Sequence, residues 1–96
     1  MNVVNSVTAN VSSSASNVTL VAARKGRLGC LIYNDSTQVL YLKYGATATT
    51  DSFTVVLPAG STPTPDALHR VEAGYTGIID GIWASANGKA RITELL

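Results

Sequence analysis

Short runs of strand-forming residues, each ended by turn-forming residues, constrain the fold of this chain more than any other feature. Val, Ile, Thr, Tyr and Leu recur in runs such as "RLGCLIYN" and "QVLYLKYG", which Gly, Pro, Asn, Asp or Ser bound. β-Branched and aromatic residues favour strands, whereas the bounding residues favour turns. At a spacing of about 8–12 residues, these runs predict an all-β fold with seven to eight short strands, arranged as an antiparallel β-sandwich or small barrel.

The same runs predict how the chain is divided. Residues 1–17 are polar and rich in Asn and Ser, which favours a flexible N-terminal arm or an edge strand. Residues 18–96 are expected to form a single β-sandwich domain, because a chain of 96 residues is too short for two domains. The predicted strands lie at 3–11, 18–24, 27–34, 38–45, 52–60 and 68–74, with two more between 75 and 95.

Two β-hairpins are expected from the turn signals. The turn "NDST" is predicted to join the strands 27–34 and 38–45. The pair Asn87-Gly88 suits a type I′ turn, in which both central residues have positive φ, and this turn would place Trp83 opposite Ile92. Asp80 then lies on the opposite face of the sheet from Trp83.

The charge of the chain is low and balanced. Seven basic and six acidic residues give a net charge of +1, so we expect no attraction to nucleic acid or to an anionic membrane. Only 14% of the residues are charged and 46% are hydrophobic, which predicts that partner chains cover part of the surface, as in a homo-oligomer. The N-terminus lacks the features of a signal peptide, so the chain is expected to be made as a soluble cytoplasmic product.

No group of residues predicts catalysis, a cofactor or a metal. Cys30 lies in an apolar run and is expected to be a buried thiol. His69, the sole histidine, has no cluster of Cys, Asp or Glu around it in the sequence. Asp80, between Ile79 and Gly81, is the sharpest candidate for an acid, but no second carboxylate is evident for acid–base work. We therefore expect a non-enzymatic protein with no cofactor.

Several residues are candidates for an interface with another protein. The turn "ARKGRLG" gathers three basic side chains, which are either solvated or docked on an acidic partner surface. Asp80 is expected to pair with Arg or Lys or to lie at a subunit boundary, and the aromatic residues are expected in core or interface packing. The predicted interface residues are Arg24, Lys25, Arg27, Tyr44, His69, Asp80 and Trp83.

The segments "LIYNDSTQVLYLKYGATAT", "SFTVVLPAG" and "YTGIIDGIWASANGKARITEL" resemble a family of small virion proteins of tailed bacteriophages. The shared pattern is an Asn-Asp-Ser turn, a "Leu-Tyr-Leu-Lys-x-Gly" strand, a "Leu-x-Ala-Gly" corner and a closing segment with "Gly-x-Trp-x-x-Ala". The resemblance covers about 26–60 and 75–95. The segment 61–74, "STPTPDALHRVEAG", departs from the family pattern, which has a shorter link with aromatic residues.

The resemblance implies a jelly-roll-like β-sandwich that is located in the virion after synthesis in the host cytoplasm. It implies capsid decoration, in which the protein binds the major capsid protein on the particle exterior and stabilises it as a cement protein. It also implies a homotrimer around local threefold axes. The alternative is a tail or baseplate module that binds a host surface carbohydrate, with Tyr33, Tyr41, Tyr44, Trp83 and Asp80 supplying stacking and hydrogen bonds.

Overall fold

Eight strands form two antiparallel four-stranded sheets in the computed structural model, which describes residues 5–96. A short 3-10 helix, Pro65–Ala67, precedes the sixth strand. The strands are β1 (Ser6–Ser12), β2 (Val18–Val21), β3 (Gly29–Asp35), β4 (Leu40–Tyr44), β5 (Val55–Leu57), β6 (Leu68–Val71), β7 (Ile79–Trp83) and β8 (Lys89–Leu95).

The order of the strands defines the topology. The first sheet has the order β1-β8-β3-β6, and the second sheet has the order β2-β7-β4-β5. Consecutive strands therefore alternate between the two sheets, except for β4 and β5, which pair directly. Eight strands divided in this way between two packed sheets form a jelly roll. The predicted all-β antiparallel sandwich is confirmed, as is its jelly-roll character.

Both predicted β-hairpins are wrong. β3 and β4 lie in different sheets, and so do β7 and β8. Trp83 is paired with Leu40, whereas Ile92 is paired with Ile32 and with Ala9. Alternating apolar residues determine which face of a strand is buried, but they do so equally well in a hairpin and in two strands of opposing sheets. The pattern therefore identified the buried faces and not the pairing partners.

The link between β7 and β8 explains the Asn87-Gly88 pair without a type I′ turn. Gly88 has a φ of +73°, but no other residue type among those described has a positive φ, so Asn87 does not meet the requirement of that turn. A Cβ atom on Gly88 would collide with the carbonyl oxygen of Asp35 and would lie 2.8 Å from the Cα of Ser36. Only glycine allows the two links between the sheets to approach so closely.

The core lies between the two sheets and consists of the inward-facing residues of both. Leu40 and Leu42 on β4 are fully buried, as the alternation of their strand predicts. Cys30 is also buried, in agreement with the sequence. The remaining members of the cluster are Leu20, Val21, Ile32, Leu57, Val71, Ile79, Trp83, Ala90 and Ile92.

Several predicted strands are shorter in the structure. The segment 52–60 contributes only Val55–Leu57, and 68–74 contributes only Leu68–Val71. The strand predicted at 3–11 is found as β1, and residues 3 and 4 of that prediction lie outside the described residues. The boundary expected at residue 17 stays a prediction.

The substitution Leu40→Ala tests the position of the core. Because the Leu40 side chain is fully buried and the Leu68 side chain is 37% exposed, the same substitution should have different costs at the two sites. We expect Leu40→Ala to lower the free energy of unfolding by about 2–5 kcal/mol and Leu68→Ala to lower it by less than about 1 kcal/mol. Urea unfolding measures both values, and equal losses would contradict this core.

Candidate functional site

The side chain of Asn34 connects the two sheets at one end of the sandwich. Asn34 is fully buried at the end of β3 in the first sheet. Its Oδ1 accepts hydrogen bonds from Trp83 Nε1 at 3.0 Å and from Ser36 Oγ at 2.7 Å. Its Nδ2 lies 2.8 Å from the carbonyl oxygen of Gln38 and 2.9 Å from that of Pro58. One buried amide thus joins β3 to β7 and to the segment that follows β5.

A second set of contacts holds the corner after β5 against the same end. The backbone N–H groups of Gly60 and Ser61 both donate to the carbonyl oxygen of Ser36, at 3.1 and 3.0 Å. The hydroxyl group of Tyr33 donates to the carbonyl oxygen of Gly60 at 2.7 Å and accepts from the N–H of Thr64 at 3.2 Å. A Cβ atom on Gly60 would collide with the carbonyl oxygen of Asn34. The corner therefore requires a glycine at this position.

These contacts explain the residues on which the family resemblance rests. Asn34 and Ser36 belong to the Asn-Asp-Ser turn, Gly60 to the "Leu-x-Ala-Gly" corner, and Trp83 and Gly88 to the closing segment. All five meet at one end of the sandwich, where they satisfy buried polar groups or allow close approach of the backbone. The amide, hydroxyl and indole groups among them are hydrogen-bonded to one another, as buried polar groups usually are.

Arg27 belongs to the basic turn that the sequence predicts as part of an interface. Its guanidinium group is buried. Its Nη1 donates to the carbonyl oxygen of Ala22 at 3.1 Å and lies 3.4 Å from Glu94 Oε2. Its Nη2 donates to the carbonyl oxygens of Tyr75, at 3.2 Å, and Gly77, at 2.8 Å. A buried charge needs such pairing, and Arg27 thereby connects three chain segments, although its buried Nε has no hydrogen-bond partner among the described residues.

The other two residues of the basic turn differ from Arg27. The side chain of Arg24 is 44% exposed and lies 3.5 Å from Glu94 Oε1. Lys25 is exposed. Arg24 and Lys25 therefore remain accessible to a partner, whereas the guanidinium group of Arg27 is committed to internal bonds.

Asp80 lies on the outer face of the second sheet but is only 2% exposed. Thr19 on the neighbouring β2 donates its hydroxyl group to Asp80 Oδ1 at 3.1 Å. Lys43 is the register partner of Asp80 on β4, but its Nζ lies 2.7 Å from Ser52 Oγ and 3.3 Å from the carbonyl oxygen of Thr47. These contacts place the segment between β4 and β5 over this face of the sheet. The expected Lys or Arg salt bridge of Asp80 is not found among the described residues.

Tyr44 on β4 of the second sheet and His69 on β6 of the first sheet connect the two sheets. The Tyr44 hydroxyl group and His69 Nε2 are 2.6 Å apart, and the rings of Tyr44 and Tyr75 stack at 4.8 Å between their centroids. The N–H of Glu72 donates to the same hydroxyl group at 3.4 Å. The Tyr44 hydroxyl group therefore has two hydrogen-bond partners, the N–H of Glu72 and the His69 ring. The two residues predicted as interface residues thus bind each other.

Burial changes the pKa values of three groups in this region. Desolvation lowers the pKa of His69, and the nearby Glu72 partly opposes this shift. Desolvation raises the pKa of Tyr44. Burial also raises the pKa of the Cys30 thiol to about 11, so this thiol is neutral at physiological pH. All three shifts favour neutral side chains, as expected for packed residues.

An apolar patch on the outer face of the second sheet was missed by the sequence analysis. We define it as Tyr41, Phe53, Val56 and Ile82. Tyr41 is the register partner of Val56 on one side and of Ile82 on the other, and its ring contacts that of Phe53 at 5.2 Å between centroids. Phe53 and Val56 are 41% and 39% exposed, although both are large hydrophobic residues. Neighbouring exposed apolar residues of this kind are typical of interaction sites.

Part of this patch could be predicted from the alternation of inward-facing and outward-facing residues in β4 and β5. In β4, residues 40, 42 and 44 face the core, so Tyr41 faces outward. In "TVVLP", the buried Leu57 implies that Val56 faces outward as well. Reading both strands together would have predicted that Tyr41 and Val56 face outward, but not their neighbours Phe53 and Ile82.

The predicted interface residues lie in different parts of the structure. Arg24 and Lys25 are exposed at the basic turn, and Tyr44 pairs with His69 at the sheet edge. Arg27, Asp80 and Trp83 have internal partners. The structure does not bring the seven residues together, and their role in an interface stays a prediction.

Searches of protein-family models, curated proteins and solved structures found no match. Across residues 5–96, no group of three or more His, Cys, Asp or Glu side chains is arranged to hold a metal ion. None of these residues forms a helix that is long and apolar enough to span a membrane.

The substitution Asn34→Ala tests the link between the sheets. It removes the acceptor of the buried Trp83 N–H, and we expect a loss of about 2–4 kcal/mol in the free energy of unfolding. Asn87→Ala is the matched control, because Asn87 accepts a backbone hydrogen bond at an exposed site and should cost less than about 1 kcal/mol. Chemical denaturation measures both values.

A double-mutant cycle with Trp83→Phe separates this hydrogen bond from simple packing. The two substitutions should show a coupling energy of about 0.5–3 kcal/mol, because each removes the same hydrogen bond. Additive effects would contradict the assignment of Trp83 Nε1 as the donor to Asn34.

The pKa of His69 predicts how stability changes with pH. Because this pKa is lower in the folded state than its usual value of 6.5, the neutral ring is favoured in the fold. Stability is therefore complete above that usual value and decreases as the pH falls below it toward the lowered folded-state pKa. The variant His69→Gln should lose less stability than the original chain on acidification from about pH 7.5 to pH 5. Denaturant unfolding at each pH measures the difference, and parallel profiles would rule out this contribution.

Proposed function

We propose that this protein is a non-enzymatic structural component of a tailed-phage virion, which binds the outside of the capsid and stabilises it. The resemblance over 26–60 and 75–95 supports this proposal, because its residues build one scaffold at the end of the jelly roll. A rigid scaffold of this kind is suited to holding a surface in place on a particle.

The outer apolar patch is the observation that carries the proposal. Phe53 and Val56 expose apolar area next to Tyr41 on the outer face of the second sheet. Burial of such area against another protein provides the main gain in free energy on association. We infer that this face lies against the major capsid protein.

The proposal includes assembly with further copies of the chain. With only 14% charged residues, the surface offers few charges that would oppose contact between identical chains. A trimer around local threefold axes, as the resemblance implies, stays a prediction.

Purified particles encoded by the same genome provide the direct test of location. The protein should sediment with intact particles in a density gradient, and an electron-microscopy map should show its sandwich-shaped density on the capsid exterior. Density on the tail would favour the alternative module, and absence from purified particles would exclude a virion role.

Substitutions in the patch test which face binds the capsid. We expect Phe53→Ser and Val56→Thr to weaken binding to particles that lack the protein by about ten- to a hundredfold, because buried apolar anchors dominate binding energy. Leu68→Ser is the matched control, since Leu68 is exposed to a similar degree on β6 of the first sheet. A binding titration with all three variants measures the difference, and an equal loss for Leu68→Ser would contradict the choice of face.

The exposed contact of Tyr41 with Phe53 favours the alternative, a tail module that binds carbohydrate. Aromatic rings on a surface can stack on sugar rings. However, Trp83 is buried, and the Tyr33 and Tyr44 hydroxyl groups have internal partners, so most of the aromatic residues named for this role are unavailable.

A further inference from the structure

The four edge strands of the sandwich differ in how well they are protected against pairing with another chain. β2 has a register shift between Thr19 and Val21, and β5 has only three residues. β6 carries His69 and Arg70. Short length, bulges and charges are the usual means by which proteins prevent pairing at sheet edges.

β1 has none of these protections. It has seven residues, "SVTANVS", without a charge or a proline. It pairs with β8 over its whole length without a register shift, and no described strand pairs with its other edge. Val7, on this strand, is 43% exposed, the highest value among the large hydrophobic residues described.

The hydrogen bonds with β8 show which backbone groups of β1 point away from the sheet. Asn5 and Leu96 exchange both of their backbone hydrogen bonds, at 3.3 and 2.9 Å, and the N–H of Ser13 donates to the carbonyl oxygen of Gly88. Bonded pairs alternate along an antiparallel ladder, so the odd-numbered residues bond to β8. The N–H and C=O groups of Ser6, Thr8, Asn10 and Ser12 therefore point outward.

The sequence of β1 is nearly palindromic about Ala9. An antiparallel pair of two β1 strands centred on this residue places Ser6 opposite Ser12, Val7 opposite Val11 and Thr8 opposite Asn10. In this register every outward-pointing residue meets another outward-pointing residue, which allows about eight hydrogen bonds between the strands. The valine pairs lie on the inner face, where Val11 already packs against the core.

We propose that β1 pairs antiparallel with β1 of a second copy of this chain, about a twofold axis at Ala9. The two first sheets then form one continuous eight-stranded sheet with the order β6-β3-β8-β1-β1-β8-β3-β6. The same surface serves both partners, as a twofold interface requires. A seven-residue strand pair buries less area than a standard interface, so we expect a reversible dimer in solution.

This contact does not depend on the proposed role in a virion. Pairing through β1 gives a dimer, whereas the resemblance implies a trimer. The mass of the protein in solution therefore distinguishes these two assemblies. Sedimentation velocity of the full chain over a range of concentrations should show monomer and dimer in exchange. Monomer alone at all concentrations, or a trimer, would overturn the pairing.

Two charged variants test the register directly. Thr8→Lys with Asn10→Lys places like charges opposite each other twice, and Thr8→Lys with Asn10→Glu places opposite charges there. Both variants change the same exposed positions, so the second is the matched control for the loss of the Thr8 and Asn10 side chains. The dimer of the first variant should have a dissociation constant about tenfold higher than that of the second. Equal dissociation constants would overturn this register, and circular dichroism should show the same β spectrum for both.

A third variant tests the backbone hydrogen bonds alone. The N–H of Asn10 points away from β8, so Asn10→Pro removes a donor from the free edge and none from the β1–β8 ladder. We expect this variant to stay folded and to sediment as a monomer. If it still forms the dimer, the contact lies elsewhere on the surface.

Discussion

The hydrogen bond between Asn34 and Trp83 is the interaction on which this sandwich most depends. It joins β3 in one sheet to β7 in the other, through two side chains that are almost fully buried. A buried amide without partners would cost free energy, but here both its oxygen and its nitrogen are satisfied. The amide therefore specifies how the two sheets are aligned, which apolar packing alone does less strictly.

The sequence predicted the buried faces better than the partners of the strands. Leu40 and Leu42 follow the alternation of a strand with one face in the core, and both are fully buried. The same alternation did not reveal that β3 and β4 belong to different sheets. That information lies in contacts such as those of Gly88 with Asp35 and Ser36, which join residues far apart in the chain. A two-residue turn signal is local and cannot report such contacts.

The contacts at the candidate site were also difficult to predict from the sequence. Arg27 was singled out as part of a basic turn and Asp80 as a charge within an apolar run, and both were predicted to contact a partner. In the structure their partners are backbone carbonyl groups, the Glu94 carboxylate group and the Thr19 hydroxyl group, and no linear pattern connects these groups to Arg27 or Asp80. Phe53 and Val56 were not singled out, because an apolar residue in a strand is ordinarily expected in the core. Their exposure depends on which neighbours cover the outer face, and a pattern within one strand does not report those neighbours.

The two proposed contacts use separate surfaces and do not compete. β1 lies at one end of the first sheet, and its free edge faces away from β8. β2 lies at the same end of the second sheet, because it packs against β8. The patch around Tyr41 lies on the outer face of the second sheet, toward its β4–β5 end. Because pairing through β1 extends the first sheet within its own plane, it leaves the patch of each copy uncovered. Two linked copies would then present two patches to one shell, and binding of the first would raise the effective concentration of the second. A weak contact between strands would therefore be sufficient to strengthen the proposed attachment to a particle, without any further contact to the shell.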